Sequence, residues 1–83
     1  MSEGKVTAKA LLALIEKQQH RCSLTGWELT PQSASIDHIV PLNDGGKHEL
    51  SNVHVLHSMV NKAKGTMGMD EFMKMCRAVA SHV

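Results

Sequence analysis

Apolar positions along this chain change their period several times, and each change marks an element. Leu11, Leu14 and Ile15 fall at i, i+3 and i+4, one stripe of an amphipathic helix over residues 6–19. Thr7 suits its N-cap, and Lys17 and Arg21 lie near its C-terminal end, where cations are favoured. Residues 21–29 read as a short hairpin or tight turn around Gly26, with Cys22, Leu24 and Leu29 facing inward. Residues 34–39 alternate as a strand, with Ile36 and His38 on one face and Asp37 and Ile39 on the other. Pro41 stops it. Residues 42–51 form an irregular loop with Gly45 and Gly46 at its tip and Lys47 and His48 in solvent. Val53, His54, Val55 and Leu56 read as the returning strand. A short polar helix follows over residues 58–64, ended by Gly65. The last helix, residues 69–81, carries the stripe Met69, Phe72, Met73, Cys76, Val79 and Ala80, which reads as core rather than as a cofactor box.

These elements predict an α+β fold in one small domain, and 83 residues leave room for no more. A core this small gains from a staple or a bound ion. The chain is 42% hydrophobic and 20% charged, which excludes a disordered class. One Trp and one Phe make aromatics scarce, so six Met act as adaptable filler. Trp27 is read as closing the core, with base stacking as its other use. A net charge of +1 is too small for bulk attraction to nucleic acid, so such a contact needs a local cluster or a metal. Cys22 and Cys76 stand far apart and outside any C-x-x-C pair, which argues against a Cys-type zinc ribbon and for two reduced, buried thiols. Residues 1–5 are expected to fray. With no leader, lipidation motif or long apolar run in the sequence, a cytoplasmic protein is the expectation.

The candidate chemistry lies in Asp37-His38, Asn52 and Asn61. Hydrolysis of a phosphodiester needs an activated water, neutralised phosphate charge and an in-line attacker. His38 is the natural base near neutral pH. Asp37 offers a carboxylate oxygen and Asn61 an amide oxygen, donors that suit a hard divalent ion. Asn52 either fixes the imidazole or ties the ends of the loop. His54 and His57 are open to a phosphate or metal contact, whereas His48 and His82 read as surface residues. Each feature alone has a plainer use: Asn52 as a turn residue, Asn61 as a helix-end device.

Taken in order, these segments resemble the HNH nucleases, whose catalytic unit is the ββα-metal fold. The resemblance runs from Cys22-Ser23-Leu24-Thr25-Gly26, through Ile36-Asp37-His38-Ile39-Val40-Pro41-Leu42, Gly45-Gly46 and Asn52-Val53-His54-Val55-Leu56, to Asn61-Lys62-Ala63-Lys64-Gly65. It implies a core over about residues 21–66, flanked by the two helices. It implies that His38 activates water, Asp37 binds metal, Asn52 positions the catalytic His and its loop, and Asn61 is the second protein ligand, a His-Asn-Asn variant. Lys62 and Lys64 are then placed for phosphate contacts, and oxygen donors favour Mg²⁺ or Mn²⁺ over zinc. The implied activity is metal-dependent DNA cleavage with little sequence preference, on double-stranded DNA, leaving a 5′-phosphate and a 3′-hydroxyl. The trailing Glu71-Phe72 helix is similar to phage-borne members, which implies a phage or mobile-element complex as partner. Many members pair cysteines around a structural zinc, and this chain lacks those pairs. The rival expectation is a nucleic-acid-binding or assembly module that keeps the fold without useful catalysis.

Overall fold

A computed structural model describes residues 4–83. Residues 1–3, the start of the stretch expected to fray, lie outside the described residues. The order is α1 (Ala8–Lys17), β1 (Ala34–His38), two 3₁₀ turns at Leu42–Asp44 and Leu50–Asn52, β2 (Val53–His57), α2 (Ser58–Lys64) and α3 (Met69–His82). This is an α+β fold, a ββα unit with one helix before it and one after.

Thr7 is the N-cap, as expected: its hydroxyl accepts from the Ala10 N–H at 3.0 Å, and α1 starts at Ala8, two residues inside the predicted range. It ends two residues early. Gln19 and His20 take left-handed backbone angles, φ 58° and 57°, which turn the chain towards the hairpin. Gln18, just past the helix, takes on a sheet role. Its side chain accepts from the Val55 N–H at 3.0 Å and donates to the Val55 carbonyl at 2.9 Å. A two-stranded sheet leaves an open edge on β2, and at Val55 the Gln18 amide, with the Ser23 N–H, pairs that edge. The predicted turn at residues 21–29 closes through a bridge between Arg21 and Glu28. Cys22 donates its N–H to the Trp27 carbonyl at 2.7 Å.

β1 and β2 pair antiparallel, with Asp37 opposite His54 and His38 opposite Val53. β2 is buried along Val53, His54, Val55 and Leu56. The core gathers Cys22, Leu29, Val55, Leu56, Val60 and Phe72, with Leu14, Ile15, Leu24, Met67 and Cys76 packed against it. α2 follows β2 without a loop, because His57 caps it by accepting from the Met59 N–H at 3.1 Å. Val60 anchors α2 to the core.

Two expectations fail here. Trp27 does not close the core: it is 49% exposed, with its ring edge-on to His57 at 5.4 Å between centroids. The hairpin that carries it turns outward, and Cys22 and Leu29 fill the place beneath. The stripe on α3 is also only half used. Phe72 is buried, but Val79 is 58% exposed, because among the described residues nothing packs under the last turns of α3. Both cysteines are free. Cys22 is buried as expected, while Cys76 is half-buried. Among the described residues, no helix is long and apolar enough to cross a membrane.

Candidate active site

β1 ends in Asp37 and His38, and alternation sends their side chains in opposite directions. Asp37 points inward and is buried. Its Oδ2 lies 2.7 Å from His54 Nε2 and 2.9 Å from Lys64 Nζ. Lys64 also donates to Oδ1 at 3.2 Å and to the His38 carbonyl at 3.3 Å. A carboxylate only accepts, so His54 Nε2 carries the proton in their bond. The other ring nitrogen, Nδ1, pairs with the Ser23 hydroxyl at 2.8 Å. One buried carboxylate thus binds together β1, β2, α2 and the hairpin. Asp37 and His54 meet because they are direct partners in the ladder.

Lys64 departs from its expected position. Its side chain is fully buried on Asp37 and does not reach outward to a phosphate. The cause is helix geometry: Asn61 and Lys64 stand three residues apart on the face of α2 that covers β1. Lys62, on the other side, is exposed.

His38 points the other way and is half-buried. His38 Nε2 lies 2.9 Å from Nδ1 of His48. His48, expected in bare solvent, therefore stands against the candidate base. Asn52 shows why the loop returns there. Its Oδ1 accepts from the Val40 N–H at 2.9 Å, and its Nδ2 donates to the carbonyls of Val40 at 3.0 Å and Lys47 at 2.8 Å. Of the two uses open to Asn52, it ties the ends of the loop and does not touch the imidazole. Gly46 closes the same loop by donating to the Pro41 carbonyl at 3.0 Å. A Cβ at Gly46 would collide with the Val40 carbonyl, so only glycine fits.

Asp37 and His38 line one cavity of about 280 Å³, together with Pro41, Leu42, Asn43 and Lys64. Asn61 is not among its walls. Asn61 Nδ2 donates to Ser35 Oγ at 2.6 Å and to the Ile36 carbonyl at 3.1 Å. That carbonyl belongs to the peptide leading into Asp37, so the two candidate ligands lie one peptide apart without converging. Among the described residues, no three His, Cys, Asp or Glu side chains gather closely enough to hold a metal. Elsewhere, burial pushes the Cys22 thiol up. Hydrogen bonds from the Thr25 side chain and from the backbone of His57, Leu24 and Thr25 outweigh it, so the thiol titrates below its ordinary value.

The sequence does not reveal the roles of two neighbours. It leaves His54 open, since its position opposite Asp37 follows only once the strand register is known. It places His48 in solvent. The only signal for it was its place four residues before Asn52, inside the loop that Asn52 closes.

A family model described as HNH endonuclease matches residues 20–66, more than half of the chain. The chain belongs to the HNH endonuclease family. The match begins just before the hairpin and ends just after α2, so it contains Asp37, His38, the loop, Asn52, His54 and Asn61. HNH endonucleases are nucleases that act on nucleic acids and generally use a divalent metal. No curated protein matches the chain.

Proposed function

We propose that this HNH chain is an endonuclease that hydrolyses phosphodiester bonds of double-stranded DNA, nicking or cutting with little sequence preference. The observation that carries this reading is the cavity shared by Asp37 and His38 within the family segment. A base and an oxygen donor stand on adjacent residues at a wall open to substrate. His38 takes a proton from water, and the resulting hydroxide attacks phosphorus. The 3′ oxygen leaves and is protonated from solvent, giving a 5′-phosphate and a 3′-hydroxyl. Residues 1–83 act as one nuclease domain, with its catalytic core at about residues 21–66.

The donor set fits a hard divalent cation, Mg²⁺ or Mn²⁺, in its chemistry. Among the described residues Asn61 Oδ1 makes no hydrogen bond, and Asp37 Oδ1 has only the longer Lys64 contact. Asp37 and Asn61 are the donors that would hold the ion, with water in the remaining positions, and doing so requires Asn61 Oδ1 to turn towards the cavity that Asp37 lines. When bound, it supplies positive charge to the scissile phosphate and the departing oxygen. Lys62 is exposed beside Asn61 and meets the DNA backbone. Lys64 acts indirectly, by holding the Asp37 carboxylate in place.

The test is nicking of supercoiled plasmid with Mg²⁺, with Mn²⁺ or with chelator, beside His38→Ala. The native protein nicks only with metal, and loss of the base lowers the rate about 10²- to 10⁴-fold. One observation favours a second reading, a nucleic-acid-binding module: Asp37 is already engaged by Lys64 and His54. In that case both proteins bind DNA and neither nicks it.

A further inference from the structure

We propose that His48 is a positioning residue for His38, holding the imidazole in the tautomer and orientation that a base requires. The proposal rests on the reading of His38 as that base. A neutral imidazole has one nitrogen that donates and one that accepts, and only the accepting nitrogen removes a proton from water. His38 Nε2 lies 2.9 Å from His48 Nδ1, and the two rings are tilted by 59° at 5.1 Å between centroids. Either ring can donate in this pair, and the proposal is that His38 Nε2–H donates to His48 Nδ1, which places the lone pair of His38 on Nδ1. When Nδ1 takes the proton from water, Nε2–H remains on His48, which stabilises the charged ring. A third group orienting the base is the general logic of base-activated attack.

The loop supplies the rigidity this requires. Asn52 grips the Lys47 carbonyl at 2.8 Å, one residue before His48, and grips Val40 at the other end of the loop. Asn52 therefore acts on the base at second hand. It fixes the loop, the loop fixes His48, and His48 fixes His38. His48 is exposed and outside the core, so its replacement leaves the fold intact.

The experiment compares native protein, His48→Ala, His48→Asn and His38→Ala in plasmid nicking with Mg²⁺. The tautomer of His38 is read by ¹⁵N NMR of the same full chains. The amide oxygen of Asn reaches nearly the position of His Nδ1 and accepts from Nε2–H. His48→Ala is expected to lower kcat about 10- to 100-fold, the size of loss seen when a metal-bound imidazole loses its orienting partner, with KM within about twofold. His48→Asn is expected to recover most of it. In native and Asn proteins His38 is the Nε2–H tautomer, and in His48→Ala the tautomers mix. If His48→Ala nicks at the native rate while His38→Ala does not, this proposal fails and the base reading stands. If His38→Ala nicks like native protein, both fail. A His38 tautomer that is the same in native and His48→Ala proteins overturns the proposal whatever the nicking shows.

Discussion

Asp37 and His38 are consecutive on β1, and the fold gives them opposite surroundings. Asp37 faces inward, where Lys64, His54 and, through His54, Ser23 complete a buried polar network. His38 meets the same cavity from the outer side, with one imidazole neighbour supplied by a surface loop, while Asp37 and Lys64 form part of the cavity's inner wall. The inward network holds four segments of chain together, so damage to it appears first as lost stability. The outward pair holds almost nothing together, so damage to it appears first as lost activity. Adjacent residues on one strand thus divide the work, because a strand sends neighbours to opposite sides.

The strongest way to break this comparison is to remove one member from each side. Lys64→Met leaves the Asp37 carboxylate buried without its cation, which costs about 3–5 kcal/mol. Urea unfolding measures it, and a shift under about 1 kcal/mol would mean that the pair does not hold the fold. Replacing both partners, Asp37→Asn with Lys64→Met, should recover much of that loss, since the penalty lies in the orphaned charge. His38→Ala has the reverse profile. Nicking falls about 10²- to 10⁴-fold. Its urea midpoint moves little, because His38 is half-buried and bonded only to an exposed ring. A protein that loses stability with His38 and activity with neither would invert the assignment.

Asn52→Ala lies between the two regions and should show a mixed result. It removes the three hydrogen bonds that close the loop. At about 1 kcal/mol each, with water replacing part, the loss is about 1–3 kcal/mol. Activity should fall as well, because the loop carries His48. The comparison sharpens if kcat falls in Asn52→Ala about as far as in His48→Ala, and if combining the two adds little.

The order of elements was legible in the sequence because its signals are local. Alternation marked β1, Pro41 and the glycines marked the loop, and Gly65 marked the end of α2. Asp37, His38, Asn52 and Asn61 stood out for their chemistry and spacing. What was not legible depended on contacts between segments. His54 meets Asp37 only because of the ladder register. Lys64 reads as a phosphate contact until the facing strand supplies a carboxylate. His48 reads as a surface residue until Asn52 bends its loop back onto β1. Trp27 reads as core because indoles are large, yet the outward turn of the hairpin leaves it half exposed. In each case the residue type suggested one environment and a partner distant in sequence imposed another.

The smallest test takes the outermost member of the inward network. Ser23→Ala removes the hydroxyl on His54 Nδ1 and leaves the Asp37 and Lys64 contacts alone. Ser23 is exposed, so water has access to the nitrogen it leaves. Stability should fall by only about 0.5–1.5 kcal/mol, the net value of an ordinary hydrogen bond. Nicking should stay within about twofold, since neither His38 nor its loop touches Ser23. Urea unfolding and the plasmid assay on one preparation check both. A large drop in nicking with stability intact would mean that the Ser23–His54–Asp37 chain reaches the chemistry. The Ser23 hydroxyl, acting through His54, would then tune the Asp37 carboxylate that is the proposed metal donor, and the inward network would serve activity as well as stability.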